Sequence, residues 1–199
     1  MSLNWLTGII LRPWTNAAPS LLNLRVGKII HVQQHENADK LYVSQIQIEK
    51  AGEGSETVPT VQVCSGLVQF IPLEQMKNRR VVVLTNLKPS KMRGVKSEAM
   101  LLATEKTTSI DSGQETKVEL INPPITAEIG EKLHFHGFPS DSEPPRLKSK
   151  IWEEIQSHLR TNGKGEAAYF SEEGSEHVLR GNSPSDPARS DTLTNTVIR

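Results

Sequence analysis

KNRRVVVLTNLKPSKMRGVKSEAM, Lys77 to Met100, is the stretch whose reading settles the fold. Between Lys77 and Lys96 it carries seven basic side chains (Lys77, Arg79, Arg80, Lys88, Lys91, Arg93, Lys96) and no acidic one. Its centre, Val81-Val82-Val83-Leu84, is an apolar run of strand length bounded by cations, which predicts a buried strand. Asn86, Pro89 and Gly94 then punctuate a loop that cannot be helical throughout. From Ala99 to Ala103 an apolar run resumes. Two strands therefore frame a loop of cations beside solvent, which is how a phosphate-binding surface is built.

Upstream, Leu22 to Gln34 alternates, with Leu24, Val26, Ile30 and Val32 on one face, and predicts a long strand. Gly27 inside it predicts a bend or bulge of the kind that curls a sheet toward a barrel. His35 to Asp39 is turn chemistry, Leu41 to Ile48 a second strand, and Thr60 to Cys64 a third, reached through the polar loop Ala51 to Thr57. Pro72 opens a short helix that runs to Lys77. Five strands with one helix between the third and fourth is the order of an OB-fold barrel.

Downstream, Glu105 to Glu115 is polar and turn-rich, and Lys117 to Ile121 and Lys132 to His136 are strand-like. Ile151, Trp152, Ile155 and Leu159 fall on one helical face between Lys148 and Leu159, with Trp152 read as a core residue that wedges this region onto the barrel. Ala167 to Phe170 predicts a further short strand. The expected architecture is mainly β. It has a tail over 1–21, an OB-fold five-stranded barrel over 22–104, and a small β-rich domain with one helix over 105–199, packed on the barrel.

The chain of 199 residues sets 23 Lys+Arg against 23 Asp+Glu, so the basic run is a local excess. A net charge near zero opposes indiscriminate coating of nucleic acid and leaves room for a bounded patch. Aromatic residues make up only 5% of the chain, so any base-stacking platform is sparse. The single cysteine, Cys64, rules out an internal disulfide framework or a Cys-built zinc site within one chain and reads as a small buried residue. No apolar run approaches the roughly 20 residues that cross a bilayer. The segment Trp5 to Leu11 lacks a positively charged start, so a cytoplasmic address and no membrane contact are expected. His134 and His136 share one side of a strand without a carboxylate or cysteine at helpful spacing, so no metal site is expected. Ser97 has no His/Asp partners, and no Gly-rich phosphate loop is present, so neither catalytic residues nor a cofactor are expected.

Five motifs occur in order: Leu24-Arg25-Val26-Gly27-Lys28-Ile29, His35-Glu36-Asn37-Ala38-Asp39-Lys40-Leu41-Tyr42-Val43, Val63-Cys64-Ser65-Gly66-Leu67, Asn86-Leu87-Lys88-Pro89 and Lys91-Met92-Arg93-Gly94-Val95-Lys96-Ser97. Together they resemble the tRNA-binding domain of the endothelial monocyte-activating polypeptide II type. That domain occurs in fungal cofactors of methionyl- and glutamyl-tRNA synthetases, in a scaffold subunit of the animal multisynthetase complex, and appended to some tyrosyl- and methionyl-tRNA synthetases. The resemblance covers residues 22–104. Pro123-Pro124, Gly130, Phe135, Gly137-Phe138 and Leu147 to Trp152 extend it into the second region, which single-domain bacterial relatives lack.

The resemblance implies a non-catalytic barrel that grips tRNA through phosphates and shape. Lys88, Lys91, Arg93 and Lys96 are the foremost candidates, since turn residues expose their loop, and Arg79 joins them from the same basic run. Ser97 and Met100 match family positions on the binding face, with a strand-start serine and a core methionine as equally open readings. His35, Asn37 and Lys40 match the loop that opens the second strand and borders that face, while Asp39 closes the turn. The resemblance also implies a monomer whose second domain supplies in cis the subunit interface of dimeric relatives. The expected role is a cofactor that raises tRNA concentration beside a methionyl-, glutamyl- or tyrosyl-tRNA synthetase. The rival readings are a synthetase-complex scaffold without RNA binding, a secreted cytokine-like protein, and a general single-strand binder. Residues 1–21 resemble neither the docking domain nor the lysine-rich linker that larger relatives carry.

Overall fold

The computed structural model describes residues 17–52, 57–138 and 143–199. The expectations for the first sixteen residues, including the segment Trp5 to Leu11, and for part of the Ala51 to Thr57 loop lie outside them. A 3-10 turn, Pro19–Leu21, leads into β1 (Leu24–His35), β2 (Ala38–Gln47) and β3 (Thr60–Ser65). The helix α1 (Leu73–Met76), β4 (Arg80–Leu84), a small hairpin of β5 (Ser90–Met92) and β6 (Val95–Ser97), and β7 (Met100–Leu101) follow. Then come β8 (Ala103–Ile110), β9 (Gly113–Leu120), β10 (Lys132–Phe135), α2 (Ser149–Ser157), β11 (Leu159–Thr161), β12 (Ala167–Phe170), β13 (Glu176–Arg180) and β14 (Val197–Ile198).

Every paired strand is antiparallel, and all but β5 and β6 belong to one twelve-stranded sheet ordered β3-β2-β1-β10-β13-β12-β11-β14-β8-β9, with β4 joining β1 to β7. The barrel is the curl β3-β2-β1-β4-β7. It closes through Glu98 N–H to the Gln62 carbonyl at 2.8 Å and through two side-chain acceptors. The Glu98 carboxylate takes the Gln62 N–H and the Ser97 hydroxyl takes the Cys64 N–H, each at 3.0 Å.

The run Val81 to Leu84 shows no alternation because both of its faces are covered. Val81 and Val83 face the barrel core with Ile29, Ile46, Val63, Met76 and Leu101. Val82 and Leu84 face a second core with Leu102, Phe135, Trp152, Ile155 and Leu179, contributed largely by the C-terminal half. Sealing this second core stabilises both halves at once, at roughly 25 cal/mol per Å² of apolar surface removed from water. Trp152 thus sits where its helical spacing placed it. Leu24 and Val26 of β1 join that same core, whereas Ile29 and Val32 turn into the barrel.

Ile29 does so by ordinary alternation, but Val32, an even position like Leu24 and Val26, does so through a register slip, which lies between Ile29 and His31 in the pairing with β2. The slip corrects the alternation read from sequence, since Val32 joins the barrel core instead of the face of Leu24, and Ile30, at the slip itself, is 44% exposed. Gly27 serves a different end from a bulge: a Cβ there would stand 2.7 Å from both Ile46 Cγ2 and Val83 Cγ2. The glycine lets three strands approach closely where the sheet curls.

The polar stretch Glu105 to Glu115 is also a departure from expectation. It forms most of the β8–β9 hairpin, whose ladder runs unbroken from Ala103↔Leu120 to Ile110↔Gly113. Both faces of its outer half are exposed, so no hydrophobic period marks it. Its base is tied down at Glu119, whose carboxylate accepts the Thr192 hydroxyl at 2.5 Å, the Thr192 N–H at 2.8 Å and the Leu193 N–H at 3.0 Å. Lys117 pairs with it at 2.9 Å. Burial pushes this carboxyl up, but the four donors outweigh burial and bring it down to about 2.

Candidate nucleic-acid interface

The loop that leaves β4 is fixed at its root before it reaches solvent. Asn86 Oδ1 accepts the Asn23 N–H at 3.0 Å, and its Nδ2 donates to the Leu21 and Pro145 carbonyls at 2.8 Å each. The Leu147 N–H donates to the Asn86 carbonyl at 2.8 Å, so the C-terminal half helps hold the loop's base. From there Lys88 stands exposed, and the chain enters the β5–β6 hairpin.

Arg93 (φ 50°) and Gly94 (φ 91°) form its two-residue turn, both left-handed, as a hairpin of right-twisted strands requires. The ladder sets Lys91 directly opposite Lys96. Like charges facing each other across an antiparallel pair oppose its formation, and only Lys96 has local relief, from Glu98 at 2.8 Å. The bond from Lys96 and the Gln62 N–H hold the Glu98 carboxyl below the ordinary range. Among the described residues, Lys40, Lys88, Lys91 and Arg93 enter no ion pair. An anion arriving at the hairpin therefore finds cations that no carboxylate has to release first.

Two depressions flank the hairpin. One, about 650 Å³, is lined by Asn37, Asp39, Lys40 and Leu41 on the β1–β2 side and by Met92 and Arg93. The other, about 300 Å³, lies between β3 and the hairpin and includes Lys88, Met92, Ser97 and Met100 in its lining. Met92 borders both, so one continuous surface joins Asn37, Lys40, Arg93, Lys88 and Met100.

Other sequence-derived candidates are placed differently. Ser97 is 6% exposed, and its hydroxyl both accepts from Cys64 N–H and donates to the Ala99 carbonyl at 3.2 Å, closing the barrel beneath the surface. His35 is 5% exposed, and its Nδ1 accepts the Asn37 N–H at 3.0 Å, so it shapes the turn that presents Asn37. Arg79 is not brought to this surface: its guanidinium donates to Asn122 Oδ1 at 3.1 Å and meets Asp191 at 3.5 Å. Arg80 donates to the Pro124, Ile125 and Ala127 carbonyls, and Lys77 pairs with Glu74 at 2.5 Å. The run of seven cations thus divides into a group that binds the chain to itself and a group that faces outward. Met92 was absent from the candidates; its only signal in the sequence was an apolar side chain set among cations.

The family model tRNA_bind, described as "Putative tRNA binding domain", matches residues 24–132. The chain is 43% identical over 163 residues to the tRNA-aminoacylation cofactor arc1 of Schizosaccharomyces pombe, covering 81% of this chain and 33% of that protein. It is 37% identical over 181 residues to the aminoacyl tRNA synthase complex-interacting multifunctional protein 1 of Cricetulus griseus, covering 90% of this chain and 45% of that one. The chain thus spans less than half the length of either relative. The crystal structure of the C-terminal domain of Plasmodium vivax p43 superposes with a TM-score of 0.69 at 24% identity, covering 92% of this chain and 99% of that one, and has the same fold. With a family model matched across the barrel and into β10, and relatives aligned over most of its length, the chain belongs to the tRNA-binding domain family.

Proposed function

We propose that the chain binds tRNA through the β5–β6 hairpin and the adjoining β1–β2 turn, as a non-catalytic, cytoplasmic cofactor of an aminoacyl-tRNA synthetase. The observation that carries this reading is the set of exposed cations without an ion-pair partner among the described residues: Lys40, Lys88 and Arg93 around two depressions joined at Met92, with Lys91 on the same hairpin. Such cations act on phosphates, so recognition rests on backbone and shape, and binding falls steeply as salt rises. Asn37 and Met100 supply an amide and a thioether beside the cations, suited to a 2′-hydroxyl and a base face. His35 and Ser97 act beneath this surface by setting its shape.

In this reading residues 22–104 hold the RNA. Residues 105–199 stiffen the barrel through the shared core and keep the chain monomeric, as an internal counterpart of a dimer interface. The printed roles of the two relatives, an aminoacylation cofactor and a synthase-complex-interacting protein, support a synthetase as partner. Among the described residues no helix is long and apolar enough to cross a membrane.

Filter binding of bulk tRNA over a salt series tests the proposal. The expected result is an affinity that drops steeply with salt and a complex that single-stranded DNA displaces poorly. An affinity independent of salt favours a protein-interaction scaffold instead, and equal competition by single-stranded DNA favours a general single-strand binder.

A further inference from the structure

The cavity of about 300 Å³ between β3 and the hairpin differs in character from the cationic surface around it. Its floor is apolar and buried, with Cys64, Ala99 and Leu101, and its walls are Met92 and Met100. Ser65 also borders it, and its hydroxyl oxygen is buried without a hydrogen-bond partner among the described residues. Buried hydroxyls are nearly always bonded, and leaving one unpaired costs free energy. An apolar slot with one idle hydroxyl suits a flat ring with polar atoms on its edge.

The charges at the mouth orient such a ring. Lys88 lines it, and so does Glu98, whose carboxylate is bonded to Lys96. A phosphate is attracted to Lys88 and repelled by Glu98, which favours a sugar-phosphate backbone over Lys88 with the base edge pointing inward. The volume is at the small end for ligand sites, which admits one ring system and no longer chain. No aromatic residue occurs between Lys77 and Leu102, so there is no platform on which successive bases stack. Two thioethers facing one slot offer a polarisable grip on a single inserted ring instead.

We propose that this cavity takes one unpaired nucleobase of the bound RNA, with the Ser65 hydroxyl bonding its edge and Lys88 holding the adjacent phosphate. The inference rests on the tRNA-binding reading and deepens it, since it gives the surface a contact that phosphates alone do not supply. Unstacked bases occur in loops and at ends of folded RNA, so the slot selects structured RNA with an accessible base over a plain duplex.

Ser65→Ala and Ala99→Leu test it, with bulk tRNA and a stem-loop RNA carrying 2-aminopurine in its loop as probes. Ser65→Ala removes an unbonded hydroxyl, so the melting temperature stays level or rises, while tRNA binds about fivefold more weakly, the worth of one hydrogen bond. Ala99→Leu fills the slot and weakens binding at least ~10-fold. In both variants the slope of affinity against salt stays that of the wild type, because no phosphate contact is lost. The 2-aminopurine fluorescence rises when wild type binds the stem-loop, as the base leaves its neighbours, and the rise is lost in Ala99→Leu. Failure of the wild type to bind tRNA overturns this inference together with the reading beneath it. Wild-type tRNA binding with Ser65→Ala within twofold of wild type overturns this inference alone. So does 2-aminopurine fluorescence that stays flat on binding, or displacement of the stem-loop by an unstructured peptide from wild type but not from Ala99→Leu.

Discussion

Replacing Lys91 and Arg93 together by alanine separates electrostatic binding from every other contribution. Both side chains are exposed and enter no ion pair among the described residues, so removing them breaks no internal contact. Lys91 faces Lys96 across the hairpin ladder, and its loss relieves a repulsion, so stability stays level or rises by up to ~0.5 kcal/mol. Alanine at position 93 meets the same left-handed backbone that arginine already occupies. Each phosphate contact contributes roughly 0.7 to 0.9 to the slope of log affinity against log salt, so losing two flattens it by about 1.6. Extrapolated from equality near 1 M salt, the variant binds tRNA about 100-fold more weakly at 50 mM and about 10-fold more weakly at 200 mM. Filter binding at five or six salt concentrations, with thermal melts of both proteins, reads the effect. Parallel slopes from two equally folded proteins refute the assignment of these cations to phosphate.

Arg79→Ala behaves in the opposite way: it loses the bonds to Asn122 and Asp191 and lowers stability by ~1–2 kcal/mol in urea, while the salt slope of tRNA binding is unchanged. Gly27→Ala forces a methyl to 2.7 Å from Ile46 and Val83, two residues with no exposed surface, and costs ~1–3 kcal/mol by the same measurement. Glu119 has a folded pKa of about 2, below the ordinary carboxylate value of the unfolded chain. Its contribution is therefore complete above about pH 5 and is lost as pH falls toward 2, a change of ~3 kcal/mol. Glu119→Gln lowers stability at neutral pH by a comparable amount and flattens the acid limb of the stability profile between pH 5 and 2.

The barrel strands were legible because their signals are local: apolar runs of strand length, a proline at the helix start, turn residues between them. Val81 to Leu84 was read correctly as buried, although only the structure shows that its two faces serve two cores. The β8–β9 hairpin escaped because its outer half is polar on both faces, and β11 and β13 escaped because three to five residues carry no period. Val32 was assigned to the wrong face because a one-residue slip reverses alternation without leaving a composition signal. The candidate site was legible as a run of cations and illegible in its division. Arg79 finds its partners 43 and 112 residues away, and nothing near it in the chain announces them. Ser97 and Lys96 are neighbours in sequence, yet one side chain closes the barrel and the other is exposed. Exposure along a three-residue strand alternates at every position, which charge counting does not register.

Amide hydrogen exchange of the full chain, with and without saturating tRNA at low salt, tests the central claim most directly. Slowed exchange at residues 88–97 and 37–41, with the β8–β9 hairpin unchanged, is the predicted result. Protection confined to β8–β14, with residues 88–97 exchanging as in the free protein, contradicts it.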